Sequence, residues 1–196
     1  MPIHVPARLL EVFRGLKAES VLVGGTAVQV WARRSDGVFL TYDLDFITSL
    51  RASDLTTAGF TLEESGRHIL VEGVAIEFPS GPLGVGDLML DPRRDTILAP
   101  TTHGDWVRCL KPGACVLDRL AQVAGWKVSA AYLQATGIVV AQVGSPDWNQ
   151  EWIDEYAAQA NLGRQWENLK ADLDDPSPSG LQRALDLGWD SDRKSN

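Results

Sequence analysis

The feature that most constrains the fold is a short apolar run that stops at two consecutive glycines and is followed by a helical pattern. Residues 20–23 read SVLV and are typical of a short strand, and Gly24 and Gly25 follow at once. Apolar residues then recur at helical spacing over residues 26–34. A strand, a glycine turn and a helix in this order predict a fold that combines a sheet with packed helices.

A second strand is predicted over residues 39–47, which read FLTYDLDFI. Apolar and aromatic residues occupy one parity of this run, whereas Asp43 and Asp45 occupy the other and therefore share one face. Glu77 lies on a later strand candidate, residues 74–78. Because neighbouring strands lie about 4.8 Å apart, the three carboxylates of these two strands can converge on one point.

A cluster of three carboxylates is electrostatically unfavourable on its own. Two carboxylates about 4 Å apart repel each other by about 4 kcal/mol at an effective dielectric constant near 20, so the cluster must be protonated or neutralised by a cation. Oxygen ligands suit Mg²⁺ or Mn²⁺, and a pair of metal ions about 3.5 to 4 Å apart is the usual arrangement for in-line displacement at phosphorus. The sequence therefore predicts a metal site formed by Asp43, Asp45 and Glu77.

The glycine turn is predicted to bind phosphate groups. Backbone N–H groups next to residues without a Cβ atom can approach a polyphosphate closely, the N-terminus of the following helix adds a favourable dipole, and the Thr26 hydroxyl is a further donor. Each of these features alone is more typical of an ordinary turn or a solvated strand face. The interpretation therefore depends on their combination, and a structural protein with a solvated acidic face is the simplest alternative.

The rest of the chain is predicted to complete a small mixed sheet and to form a helical C-terminal region. Further helices are expected at residues 6–16, 53–58, 116–126, 130–142, 148–160 and 162–173, and further strands at residues 60–64 and 68–71. Residues 78–90 are rich in turn-forming residues and are expected to form a loop that leads to another short strand or edge. The prediction is an α+β fold with three parts: a mixed sheet flanked by helices over residues 1–110, a helical subdomain over residues 111–173 and a flexible tail over residues 174–196.

Composition and charge exclude several classes of protein. With 18 basic and 26 acidic residues the formal net charge is −8, which argues against a general role in coating DNA. Two cysteines are too few for a disulfide framework, and the sequence contains neither a P-loop motif nor a dinucleotide-binding glycine motif. Neither a secretory signal nor a membrane span is recognised, so we expect a cytoplasmic protein.

The segment VLVGGTAVQVWARRSDGVFLTYDLDFI, residues 21–47, resembles the nucleotidyltransferase superfamily. It contains two glycines, then an arginine, then the pattern hydrophobic-Asp-x-Asp, as in the abortive-infection type toxins and their uncharacterised bacterial relatives. The resemblance continues through VAIEFPSGPLGVGD and LKPGACVLDRLAQVAGW, and so covers residues 21–173. It implies the same α+β fold, with a small mixed sheet and a helical C-terminal region.

The resemblance also implies roles for individual residues. The glycine turn would hold a triphosphate, the aspartate pair would ligate Mg²⁺, and Glu77 would help to activate the attacking hydroxyl. The implied residues are Gly24, Gly25, Thr26, Arg33 and Arg34 for the nucleotide, Asp43, Asp45 and Glu77 for the metal and catalysis, and Asp118 and Arg119 as accessory groups. Lys111 is a further candidate accessory residue, as part of a local basic patch that an RNA acceptor would need.

The implied activity is transfer of a nucleoside monophosphate from a nucleoside triphosphate to a hydroxyl group, with release of pyrophosphate. A tRNA is the acceptor that the toxin resemblance suggests, a small-molecule or protein hydroxyl is the alternative, and an antitoxin-like protein is the implied partner. Four positions in or next to the third matching segment depart from the family pattern: Ala114, Leu117, Lys127 and Val128. They leave open a second function, that of a catalytically silent nucleotide-binding or antitoxin-partner module of the same fold.

Overall fold

A six-stranded mixed sheet forms the centre of the fold in a computed structural model that describes residues 2–126 and 128–175. The strands are β1 (Ser20–Val23), β2 (Asp43–Thr48), β3 (His68–Val71), β4 (Val74–Glu77), β5 (Gly84–Val85), β6 (Leu88–Met89), β7 (Thr96–Pro100) and β8 (Trp106–Leu110). The helices are α1 (Ala7–Gly15), α2 (Gly24–Ala32), α3 (Ala52–Thr57), α4 (Pro112–Trp126), α5 (Ser129–Gln142), α6 (Gln150–Gln159) and α7 (Gly163–Asp174), with a 3₁₀ helix at Gly37–Phe39. The strand order of the main sheet is β3-β4-β2-β1-β8-β7, and β5 pairs with β6 separately. The predicted α+β fold class is confirmed.

The pairing of the strands brings distant parts of the chain side by side. β1 runs antiparallel to β2 and pairs Val23 with Asp45, and β2 runs parallel to β4 and pairs Asp45 with Glu77. β8 lies on the other side of β1 and runs parallel to it. The C-terminal ends of β1 and β8 therefore lie at the same edge of the sheet, next to the N-terminal half of β2.

Alternation along β2 separates a buried face from a polar face. Leu44 and Phe46 are buried, and the Phe13 ring of α1 meets the Phe46 ring edge-on with 5.2 Å between the ring centroids. Asp43 and Asp45 occupy the other parity and are partly exposed. Burial of one parity thus determines the face on which the carboxylates lie, because the strand cannot slip by one residue without exposing Leu44 and Phe46.

Helix α2 packs against both the sheet and the C-terminal helices. The Trp31 indole N–H donates to the carbonyl of Leu110 at the end of β8, at 2.7 Å, and the side-chain amide of Gln142 in α5 donates to the Trp31 carbonyl at 2.6 Å. A continuous hydrophobic core contains residues of the sheet and of α4 to α7. The predicted division between residues 110 and 111 falls between β8 and α4.

The bounds of the glycine turn and of β2 differ from the prediction. Gly24 and Gly25 form the first turn of α2 itself, which starts directly after β1. The strand predicted over residues 39–47 begins only at Asp43, because the 3₁₀ helix comes first. Phe39 at the end of this 3₁₀ helix is buried, so its apolar side chain serves helix packing and not the strand.

The strand predicted over residues 60–64 is wrong, since Leu62 makes only an isolated bridge to Ile69. Phe60 is buried, and its N–H donates to the carbonyl of Leu55 in the turn that follows α3. The apolar residue that indicated a strand therefore packs at the end of a helix.

The sequence analysis does not predict β7 and β8 individually. It predicts only one further short strand or edge after residues 78–90. β7 and β8 pair with each other in antiparallel register from Thr96 with Leu110 to Pro100 with Trp106. Their sequences, TILAP and WVRCL, do not alternate between apolar and polar residues, so periodicity alone does not reveal them.

The four predicted C-terminal helices are present as α4 to α7, with ends shifted by up to a few residues. Asp174, the first residue of the predicted tail, is the last residue of α7, and residues 176–196 lie outside the described part of the chain. Within residues 2–126 and 128–175, no helix combines the length and the apolar character that crossing a membrane requires.

Candidate functional site

Asp43, Asp45 and Glu77 come together on the polar face of the sheet, and each offers a carboxylate oxygen that lies within 4.8 Å of those of the other two. β2 supplies the two aspartates at alternate positions, and the parallel register with β4 places Glu77 directly beside Asp45. All three residues are partly exposed, so an ion from solvent has access to them. The predicted convergence of the three carboxylates is confirmed, and the triad could hold a metal ion.

The surroundings of Asp45 in the triad shift the pKa of its carboxyl group. Burial of this carboxyl, followed by the charges of Asp43 and Glu77, raises its pKa from 3.8 to about 6. The charge of Arg119 and a hydrogen bond from the Gly25 backbone N–H act in the opposite direction without cancelling the rise. Burial first, and the neighbouring carboxylates second, therefore disfavour the charged form of Asp45.

The two glycines at the start of α2 are required by the close approach of the β2 region. Gly24 has φ of +64°, and a Cβ atom at this position would lie 1.9 Å from Oδ2 of Asp45. A Cβ atom on Gly25 would lie 2.9 Å from the Cβ and Oγ1 atoms of Thr41. The Thr41 hydroxyl in turn donates a short hydrogen bond to Oδ1 of Asp43. The glycine turn thus brings the N-terminus of α2 into direct contact with the triad.

Thr26 has a different partner from the one that the resemblance implies. Its side chain is buried, and its hydroxyl donates to the backbone carbonyl of Asp43 at 2.8 Å. The hydrogen bond of this hydroxyl therefore joins α2 to the start of β2, and its proton is directed at the Asp43 carbonyl and not at a ligand.

The structure does not bring Arg33 and Arg34 to the triad. Both follow the last residue of α2, about 13 Å along the helix axis from Gly24. Arg33 ends the helix in the left-handed conformation with φ of +56°, and the Arg34 guanidinium pairs with Asp36 at 3.0 Å. These arginines therefore belong to the far end of α2.

The accessory residues lie on or next to α4. Arg119 is buried, its Nε donates to Asp118 at 2.9 Å, and its Nη1 donates to the Gln134 side chain at 3.3 Å. The positive charge of Arg119 lowers the pKa of Asp45 and so partly opposes the rise caused by burial and by the other carboxylates. Lys111 is exposed and follows β8, at the same sheet edge as the glycines, and its ammonium group forms no ion pair within the described residues.

Two residues near the triad are not among the predicted site residues. Thr41 could have been found from its parity, which it shares with the aspartates. His68 places Nε2 3.4 Å from Oε2 of Glu77. The signal for His68 is the two-residue loop Glu72-Gly73, since such a loop sets the register of the β3–β4 hairpin and hence the partner of Glu77.

A cleft of about 320 Å³ adjoins the triad on the side of Asp43, and its lining includes Thr41, Tyr42 and Gln29. Asp45 and Glu77 do not line this cleft.

Comparison of the chain with protein-family models, with curated protein sequences and with solved structures finds no match. Membership of the nucleotidyltransferase superfamily therefore stays a prediction from the sequence pattern.

Proposed function

We propose that this protein is a metal-dependent nucleotidyltransferase, which moves a nucleoside monophosphate from a nucleoside triphosphate to a hydroxyl group and releases pyrophosphate. The observation that carries the proposal is the convergence of Asp43, Asp45 and Glu77 within 4.8 Å beside the glycine start of α2. Glu77 lies 32 residues after Asp45 in the sequence, so local preference alone does not bring it to the two aspartates.

The donor set of the triad fits Mg²⁺ or Mn²⁺. Three carboxylates offer the hard oxygen ligands that these ions prefer, and a bound cation would offset the burial of Asp45 and its repulsion from Asp43 and Glu77, which together raise the pKa of Asp45. Asp43, Asp45 and Glu77 would hold the metal. When bound, it would supply positive charge to the α-phosphate and to the leaving pyrophosphate.

The remaining residues support particular parts of this reaction. Glu77 would take the proton of the acceptor hydroxyl. The oxygen of that hydroxyl would bond to the α-phosphorus, and the bond between the α-phosphorus and the oxygen that bridges to the β-phosphate would break. Lys111, an exposed cation at the same sheet edge, is suited to the phosphates, whereas Arg33 and Arg34 are too distant. Thr26 and Gly25 would hold α2 and Asp45 in place, since their donors already have protein acceptors.

A catalytically silent nucleotide-binding or antitoxin-partner module is the second candidate. The specific observation in its favour is that two of the predicted phosphate donors, the Gly25 N–H and the Thr26 hydroxyl, already have protein acceptors, and that Arg33 and Arg34 lie at the far end of α2. Ala114 and Leu117, which depart from the family pattern, are fully buried and offer no polar group to a substrate.

The acceptor and the partner follow from the resemblance. A tRNA is the proposed acceptor, with a small-molecule or protein hydroxyl as the alternative, and an antitoxin-like protein is the proposed partner. The net charge of −8 argues against RNA and in favour of the alternative acceptors.

Turnover distinguishes the two candidates. The purified protein is incubated with Mg²⁺ or Mn²⁺, α-labelled nucleoside triphosphates and pooled tRNA, and labelled acceptor and pyrophosphate are measured. We expect both products from the wild type and neither from Asp43→Ala, whereas Asp36→Ala, an aspartate at the far end of α2, is the matched control and retains activity. Nucleotide binding without pyrophosphate release would favour the silent module, and a melting temperature that does not respond to metal and triphosphate would contradict both candidates.

A further inference from the structure

The row of paired residues that contains two members of the triad, Asp45 and Glu77, extends by one strand to His68. Val23 of β1 pairs with Asp45, Asp45 pairs with Glu77, and Glu77 pairs with His68 of β3. Residues paired directly across a sheet project from the same face. Nε2 of His68 consequently lies 3.4 Å from Oε2 of Glu77, with 36% of the histidine side chain and 29% of the glutamate side chain exposed.

The other ring nitrogen of His68 is held by Ser65. Nδ1 lies 2.9 Å from the Ser65 hydroxyl oxygen, and that oxygen also accepts the backbone N–H of Arg67 at 3.2 Å. The hydroxyl proton of Ser65 is thus free to be donated to Nδ1. A neutral imidazole that accepts at Nδ1 carries its proton on Nε2, which faces Glu77.

The backbone around His68 is fixed on both sides. The His68 carbonyl accepts the N–H of Glu63 at 2.9 Å, and the N–H of Phe78, next to Glu77, donates to the Arg67 carbonyl at 2.8 Å. The imidazole is therefore carried by a paired strand and not by a loose loop, so its position relative to Glu77 is determined by the sheet.

We propose that His68 is a positioning residue: it presents an N–H to the Glu77 carboxylate and so holds this carboxylate in place beside Asp43 and Asp45. The inference rests on the metal site of the proposed function. Carboxylates that ligate a metal are held by outer hydrogen-bond partners, and loss of such a partner weakens metal binding by about 10- to 100-fold. The site would thus include two residues besides the triad: His68, which contacts Glu77, and Ser65, which contacts His68.

The test is a titration of the full chain with Mn²⁺ alone, followed by electron paramagnetic resonance or calorimetry, together with a melting temperature for each variant. We expect His68→Ala to bind Mn²⁺ about 10-fold more weakly than the wild type. His68→Gln, whose amide N–H can occupy the place of Nε2, restores most of the affinity. His103→Ala is the matched control, since His103 is an exposed histidine that is not among the residues lining the cleft beside Asp43, and it binds as the wild type does.

The outcomes separate this inference from the proposed function. Failure of the wild type to bind Mn²⁺ would remove the metal site and the proposed function with it. Wild-type binding with equal affinity in His68→Ala would overturn the inference alone, as would a His68→Gln variant that melts normally and binds as weakly as His68→Ala. Should His68→Ala not fold, Ser65→Ala decides: we expect a several-fold loss of affinity, and no loss would overturn the inference.

Discussion

The two ends of helix α2 differ in how the protein treats charge. At the N-terminal end, Gly24 and Gly25 allow the helix to touch Asp45, and three carboxylates crowd together with one pKa raised to about 6. At the C-terminal end, Arg34 pairs with Asp36 and its guanidinium lies over the Phe39 ring at 4.9 Å from the centroid. One helix therefore joins a site where like charges are gathered to a site where opposite charges are paired.

The difference indicates which end has a function. Paired charges and a covered aromatic ring stabilise a helix end and need no ligand. Like charges held together against their repulsion destabilise the protein until something binds, which is a common property of active sites. The comparison can be tested by substitutions at the two ends, and those expected to have the largest effect come first.

Gly24→Ala is expected to break the N-terminal end. The new Cβ atom would overlap Oδ2 of Asp45, and φ of +64° is strained for alanine, so we expect a loss of about 2 to 4 kcal/mol in the free energy of unfolding together with loss of Mn²⁺ binding. Urea denaturation and Mn²⁺ titration measure the two effects. Gly15→Ala, where a Cβ atom meets nothing within 4 Å, is the control. Wild-type stability in Gly24→Ala would contradict the close approach of α2 to the triad.

Gly137→Ala tests the C-terminal end of α2, because Gly137 in α5 lies against the Phe39 ring at that end. A Cβ atom here would lie 2.5 Å from Cζ of Phe39, and the strain exceeds the gain in helix propensity, so we expect a loss of about 1 to 2 kcal/mol. Metal binding stays at the wild-type level, because the triad lies at the opposite end of α2. A large loss of Mn²⁺ affinity in a folded Gly137→Ala protein would show that the two ends are coupled and not independent.

Asp45→Asn is expected to stabilise the metal-free protein at pH 7.5 by about 1 kcal/mol, discounted for the partial exposure of the group. The pKa of Asp45 is about 6 in the folded protein and 3.8 ordinarily. Between these two pH values the native state therefore keeps a proton that the unfolded chain has released. Relative to Asp45→Asn, the wild type therefore loses stability as the pH rises from about 4 to about 6, and the deficit persists above pH 6.

Melting temperatures of both proteins from pH 4.5 to 7.5 measure this difference. Added Mg²⁺ should raise the melting temperature of the wild type and leave Asp45→Asn unchanged. A wild type that is as stable as Asp45→Asn at every pH would contradict the raised pKa of Asp45.

Arg34→Ala is expected to have the smallest effect. Its ion pair with Asp36 is exposed to solvent and contributes little to stability, and the guanidinium is distant from the triad. Melting temperature, Mn²⁺ affinity and nucleotide affinity should all stay close to the wild-type values. A clear loss of nucleotide affinity would instead restore the role that the resemblance implies for this arginine.

Local patterns in the sequence were sufficient for the elements that build the site. The run SVLV, the glycine pair and the helical spacing after it predict β1 and α2, and the alternation around Asp43 and Asp45 predicts their shared face. These properties depend on the periods of strand and helix, which are local. The register of β3 against β4 was also within reach, because the loop Glu72-Gly73 determines it.

Other parts of the site depend on contacts between distant segments. The partner of the Thr26 hydroxyl, for example, is a carbonyl 17 residues away. The residues 60–64 illustrate the same limit, since Phe60 looks like part of a strand and packs after a helix instead. A side chain's sequence neighbours do not determine which tertiary contact it makes.

The sequence by itself determined that this protein has an α+β fold and that two aspartates share the face of a strand that follows a glycine-started helix. Only the tertiary structure decided that β4 lies parallel to β2 with Glu77 beside Asp45, and that β7 and β8 complete the sheet. The physical reason is that hydrophobic periodicity is a property of a few consecutive residues, whereas strand order and parallel pairing minimise the free energy of the whole core.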